Sequence, residues 1–318
     1  MEKKEFYEAV KEAVLVRLNE EDETIGANIT NVTKNNGVEY TGLQFTGESN
    51  IQPVVYLDQF YSAYEDGVTD IDRIADHIYD TYHANALGSD FNLDDLLDYE
   101  KAKNNLMVVV RNAELNAAQL EKVPHEIHED LAEMYRVCVS CVDDSMGSVL
   151  VTNEMLEKFG VDEATLKEDA WSSMRANHPG ELKNMFDVLN EIYSDKFGED
   201  MPADMMEMMG VDRPAMYVYT SKDKFNGSAY MFDKEAMNSI AEKFGESFAV
   251  LPSSIHEYIC LPESVVDNYD DLKRMVEEVN STQVSVDEQL SDNVYRYDKD
   301  TQELSMYDGQ SEDMSMNM

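Results

Sequence analysis

Cysteine is scarce in this chain: three residues in 318, Cys138, Cys141 and Cys260. So small and odd a number excludes a disulfide framework and fits a reducing compartment. Basic residues are scarce too. Lys and Arg total 25 against 66 Asp and Glu, for a net charge of -41. A field of that sign repels phosphate backbones and anionic lipid surfaces, which argues against direct nucleic-acid binding and against a membrane role. Long apolar runs are missing. "LMVVV" at 106–110 is far too short to span a bilayer, and the opening "MEKKEFYEAVKEAVLV" is amphipathic, without the apolar core of a signal peptide. A cytoplasmic setting is expected. Phosphate-cradling glycine loops are absent, since "GSVLV" and "GSAYM" each carry one glycine. Acidic clusters such as "NEEDET" and "DNYDDLKR" lack the Asp-x-Asp-x-Asp-Gly spacing of a calcium loop.

What is present is a pattern of short helices and strand pairs. Phe6, Val10, Ala13, Val14 and Leu18 recur at helical spacing, so 3–20 reads as an amphipathic helix. "IGANITNVT" and "GVEYTGLQF" flank "KNNG", a strong hairpin signal because Asn and Gly tolerate positive φ. "VVYLDQFYSAYEDG" reads as a second helix. Asp70 caps a third, with Ile71, Ile74, Ala75, Ile78 and Tyr82 on one face. This α-β-β-α-α part spans 1–88 and ends at "NALGSD".

The larger part, 89–300, begins with the short helix "LDDLLDYEKAK" and the buried strand "NLMVVVRN". "LAEMYRVCVSCV" and "SVLV" form a strand pair, followed by helices capped by Thr152 and Asp162, the second stopping before Pro179. "AMYVYTSKDKFNGSAYMF" then reads as strand, turn, strand before the helix "DKEAMNSIAEKFG", a second use of one ββα unit. "SFAVLP" and "SIHEYICLP" pair around Pro252, and a last helix covers 267–280. Residues 301–318 read as a mobile, acidic, Met-rich tail. The fold class is α+β: a mixed or antiparallel sheet of repeated ββα units with helices packed on it.

Three stretches carry reactive side chains. In "SSIHEYIC", a strand would place Ser254, His256, Tyr258 and Cys260 on one face, successive ones about 7 Å apart, too far for a serine–histidine or cysteine–histidine bond. In "PHEIHEDLAEMYRVCVSC", His125, His128, Cys138 and Cys141 are zinc-type ligands. Residues three apart on a strand face opposite sides, so Cys138 and Cys141 are not expected to meet, and the histidines read as solvated near a helix start. The methionine-rich "MPADMMEMMG" at 201–210 suits a helical connector or an adaptable binding surface better than a copper store. No catalytic residue, cofactor or metal is assigned.

Several stretches together carry a resemblance: "IQPVVYLDQFYSAYEDG", "VPHEIHEDLAEMYRV", "SVLVTNEMLEKFGVDEATLKEDAW", "YVYTSKDKFNGSAYMF", "VLPSSIHEYICLP" and "EVNSTQVSVDEQLSDNVYRYD". In this order they resemble an uncharacterised domain-of-unknown-function family of anaerobic gut Gram-positive bacteria. The resemblance runs from the first helix to about Asp298. It implies a bacterial cytosolic setting and one α/β architecture, and carries over no functional residue. Three readings stand. The leading one is an acidic interaction or regulatory protein without chemistry of its own, its partner a protein, with a basic one suited to the acidic field. The second is a DNA mimic occupying a nucleic-acid-binding protein. The third is an enzyme of unrecognised type working from the polar face of 254–260.

Overall fold

The computed structural model describes residues 1–20, 25–47, 54–85, 93–142, 145–202, 204–205 and 216–309. It is an α+β protein whose sheets are antiparallel throughout, and the chain divides into two compact units, Met1–Asp98 and Tyr99–Met318.

In the first unit the helical spacing forms α1 (Lys3–Asn19), with Phe6, Val10, Val14 and Leu18 buried. The Asn-Gly signal forms the hairpin of β1 (Gly26–Thr33) and β2 (Glu39–Thr46), with Asn36 and Gly37 both at positive φ. The next stretch departs from expectation. Val54–Tyr56 is a strand, β3, pairing with β2, and only Asp58–Glu65 is helical, as α2. β-branched Val54 and Val55 favour the extended chain, and the ladder rewards it. Asp58 ties the first turn of α2 to its neighbours: it accepts from the Tyr7 hydroxyl (2.8 Å) and the Thr41 amide (2.6 Å) and pairs with Lys3. Helix α3 (Ile71–Asn85) adds Ile74, Ala75 and Ile78 to the core; α4 (Leu93–Leu97) follows.

The second unit begins with the single helical turn α5 (Tyr99–Ala102) and holds two sheets. In the first, β6 (Leu131–Val142) is flanked by β4 (Leu106–Asn112) on one side and by β5 (His125–His128) and β7 (Ser145–Leu150) on the other. One face packs Met107, Val109, Ala132 and Met134 against Leu120 of the short helix α6 (Ala117–Leu120) and Val123. Two helices follow β7: α7 (Asn153–Phe159), capped by Thr152, and α8 (Glu163–Asn177), capped by Asp162. The other face, with Leu131, Glu133 and Tyr135, meets α8.

The second sheet has the order β13-β12-β10-β11-β9-β8. Its strands are β8 (Gly180–Asn184), β9 (Tyr217–Ser221), β10 (Phe248–Pro252), β11 (Glu257–Pro262), β12 (Tyr295–Asp298) and β13 (Glu303–Met306). Helix α9 (Met185–Phe197) follows β8. Helix α10 (Lys234–Phe244) covers one face through Met237 and Phe244, and α11 (Tyr269–Thr282) covers the other through Leu272 and Val276.

Two expectations are corrected here. Of the two similar ββα units expected from the sequence, the first forms, as β6-β7-α7. The second fails because "GSAYMF" is a 3-10 turn, Gly227–Phe232, rather than a return strand. Residues 227–231 are all buried, a burial that two-residue alternation on a half-exposed strand cannot give. Gly227 makes the turn possible: a Cβ there would lie 2.4 Å from the Ser221 amide nitrogen and 2.6 Å from the His256 carbonyl. Residues 303–306, expected within an aperiodic tail, form β13, with Leu304 opposite Tyr297 and Met306 opposite Tyr295. Among the described residues no helix is long and apolar enough to cross a membrane.

Candidate functional site

The face of β6 that meets α8 is apolar at Leu131, Tyr135 and Val137, yet Glu133 stands among them with its side chain at 0% exposure. A carboxylate so placed must be compensated. Its Oε1 accepts from the Tyr135 hydroxyl (3.1 Å) and from the indole nitrogen of Trp171 on α8 (3.2 Å). Its Oε2 faces two nitrogens, His128 Nε2 and Lys167 Nζ, each at 3.4 Å. The Oε2–Nε2 approach is an electrostatic contact outside hydrogen-bond geometry, and these two buried atoms lack any hydrogen-bond partner. Glu126, opposite Glu133 in the β5–β6 ladder, completes the group: Lys167 lies 2.5 Å from its Oε2, and His128 Nε2 lies 3.8 Å from its Oε1.

The electrostatics follow from this packing. Burial alone would push the Glu133 carboxyl up. The His128 and Lys167 contacts more than reverse this, and its pKa falls below the ordinary carboxylate value. Burial would pull Lys167 down, but Glu126 and Glu133 carry it above the usual lysine value. Tyr135 is pushed up by burial and by Glu133, so it stays a neutral donor.

His128 faces two ways. While Nε2 is turned to Glu133, its ring stacks on Phe232 (4.2 Å between centroids, 22° between planes) and lines a cleft of about 440 Å³. Met231, Met237, Tyr295, Tyr297 and Leu304 supply the apolar wall, and Glu129, Lys234 and Glu303 are the charged groups among its lining. The cleft thus lies between the β5–β6 turn and the β12–β13 end of the other sheet. Asp130 in that turn clasps the second sheet by accepting from Ser291 Oγ (2.6 Å), Asn293 Nδ2 (3.0 Å) and the Tyr295 hydroxyl. Glu129 sits at φ 55, a left-handed conformation that a non-glycine residue adopts at a cost.

The residues singled out from the sequence fall elsewhere or are divided. His125 and His128 belong to a strand, not a helix start, and point to opposite faces of it. His125 Nδ1 contacts the Val123 carbonyl (2.9 Å). Cys138 lies four residues along β6 from Met134, the partner of His125, which is about 13 Å of strand. The β6–β7 ladder slips between Cys138 and Ser140, a bulge the sequence did not announce. The Cys141 side chain lies outside the described residues, as does most of the methionine-rich stretch 201–210.

"SSIHEYIC" is extended only from Glu257. Tyr258 and Cys260 are fully buried, with Tyr258 stacked on Tyr219 (5.2 Å) and donating to Met237 Sδ (3.6 Å). Burial pushes the Cys260 thiol well up, away from nucleophilic thiolate character. Ser254 Oγ accepts from the His256 backbone amide rather than meeting its ring. The His256 ring accepts from the Asn226 amide (3.3 Å) and lies 3.7 Å from Glu288. No nucleophile–base pair forms on this face.

The model of a family of unknown function, DUF5688, matches residues 3–299. The chain belongs to this family. No curated protein and no solved structure matches it. The match to DUF5688 reaches into both units and covers the whole Glu126–His128–Glu133–Lys167 group, and it ends before β13, one wall of the cleft.

Proposed function

We propose that this DUF5688 protein is a binding protein, and that its cleft takes a basic, extended peptide segment of a partner. The observation that carries the reading is the composition of the cleft. Partly exposed Phe232 and Leu304 give it apolar surface over a buried floor of Tyr295, Tyr297, Met231 and Met237, the kind of lining that seats an apolar group. Two carboxylates, Glu129 and Glu303, outweigh Lys234 among its charged groups, in a chain of net charge -41. That field draws cations, and an ammonium or guanidinium gains further over an aromatic face. β13 is the terminal strand of its sheet, so its outer backbone edge can accept an added strand. Binding rather than catalysis is the role these features support.

The test is fluorescence anisotropy at physiological salt, with a labelled peptide alternating Arg or Lys with aliphatic residues and its Asp/Glu counterpart. The basic peptide binds and the acidic one does not. Glu303→Lys, an exposed substitution, weakens binding about tenfold, roughly 1.4 kcal/mol. Equal binding of both peptides, or no effect of E303K, refutes the reading.

A further inference from the structure

We infer that Glu126, His128 and Glu133 form a binding site for a divalent transition-metal ion, with the Lys167 ammonium as its competitor for the same place. The inference does not rest on the peptide reading. One ligand atom from each of the three side chains lies within 4.8 Å of the others. His128 Nε2 is 3.4 Å from Glu133 Oε2 and 3.8 Å from Glu126 Oε1. Bonds of about 2.1 Å in a tetrahedral site place ligand atoms about 3.4 Å apart. The His128–Glu133 edge has that length already, the His128–Glu126 edge is about 0.4 Å longer, and the Glu126 side chain that must close the rest is half exposed.

A second observation points to a ligand. Glu133 is wholly buried, and its Oε2 and His128 Nε2 face each other with no hydrogen-bond partner. A buried carboxylate oxygen and an imidazole nitrogen held 3.4 Å apart are donor types that a cation joins when it displaces any proton on the imidazole. The surroundings hold them there. Trp171 and Tyr135 fix the other carboxylate oxygen of Glu133, and Phe232 stacks on the imidazole. Such outer contacts orient metal ligands and raise affinity.

Charge explains Lys167. Two carboxylates and a neutral imidazole carry a formal charge of -2, which a divalent ion cancels. Lys167 supplies half of that compensation, from a helix-surface side chain about a third exposed. A four-carbon stem lets its ammonium swing out to water when a metal enters. One nitrogen and two carboxylate oxygens suit Zn2+, Mn2+ or Co2+ better than Ca2+ or Mg2+, which prefer all-oxygen sets. Three protein ligands leave a fourth position for water or a bound group.

The test uses the full chain, with excess Mg2+ present to occupy the diffuse acidic surface. Co2+ is titrated and followed by its visible absorption, then displaced by Zn2+. The expected result is one saturating equivalent in the wild-type protein, bound about tenfold more tightly by Lys167→Met, which removes the competitor. Glu126→Gln and His128→Gln each weaken binding by about tenfold or more. Glu126 is half exposed, so E126Q keeps the test valid even if substitutions at the buried positions disturb folding. Equal affinity in wild type, K167M, E126Q and H128Q refutes the site, as does the lack of a one-equivalent cobalt spectrum in K167M.

Discussion

Removing the Lys167 charge tests the electrostatic account of the buried cluster. In Lys167→Met the helix keeps an unbranched side chain of similar length, while Glu133 loses a cation 3.4 Å away. At an effective dielectric of about 20, that separation corresponds to a gross attraction of about 5 kcal/mol. Most of this offsets desolvation, and Lys167 is about a third exposed, so water screens part of the remainder. His128 and the Trp171 and Tyr135 donors stay in place. The expected net destabilisation at neutral pH is therefore about 2 kcal/mol, below the roughly 3–5 kcal/mol of a fully orphaned buried charge. Glu133→Gln keeps an acceptor for both donors and removes the charge. The double variant should recover about 1–2 kcal/mol relative to the sum of the singles.

Trp171 is the only tryptophan in the chain and touches Glu133, so urea unfolding followed by its fluorescence reports this unit directly. The pH dependence has a definite sign. The folded-state pKa of Glu133 is depressed, so its contribution is complete above the ordinary carboxylate value of about 4.5 and is lost as pH falls through the lower, folded value. The K167M deficit should accordingly shrink in acid. Single-variant effects that add to within about 0.5 kcal/mol, or a deficit independent of pH, would show that Lys167 and Glu133 are neighbours without energetic coupling.

Asp233 caps α10 and holds Arg175 of α8 through two bonds of 2.9 and 2.8 Å. Asp233→Ala should cost about 2 kcal/mol in the same urea assay, and Asp233→Asn, which still caps, about half of that. Gly227→Ala forces a methyl against the backbone of Thr220, Ser221 and His256 and should cost about 3 kcal/mol, seen as a lower urea midpoint and faster proteolysis. An unchanged midpoint would mean that this contact relaxes freely.

Elements with strong local periodicity or chemistry were legible in the sequence. Spacing marked α1 and α3, Asn36-Gly37 marked the first hairpin, and Thr152 and Asp162 marked the starts of α7 and α8. The elements that escaped depend on distant chain. β3 and β13 are short strands defined by the ladders they join. The 227–232 turn is set by backbone approaching from Ser221 and His256, which no local pattern reports.

The candidate site was half legible. Glu133 interrupts the apolar row Leu131, Tyr135, Val137, and a carboxylate in such a row is a recognisable signal. Grouping His125 with His128 and Cys138 with Cys141 by ligand type obscured it, because a strand sends the two histidines to opposite faces. The ligands that do converge, Glu126, His128 and Glu133, come from both sides of a hairpin. Their supports Lys167 and Trp171 arrive from a helix more than thirty residues on. A single sequence offers no means of pairing segments so far apart.

The family match ends at residue 299, four residues before β13 begins. A fragment cut to that boundary would strip the outermost ribbon from a six-stranded sheet. The amides and carbonyls of β12 that now bond to 303–306 would lie bare, and the row of Tyr295 and Tyr297 would lose Met306 and Leu304 from its flank. Bared edges of this kind recruit other chains. Shortened versions of this protein would therefore present the β12 edge, beside Tyr295 and Tyr297, in place of the β13 edge, and should clump more readily than the chain that keeps residues 303–306.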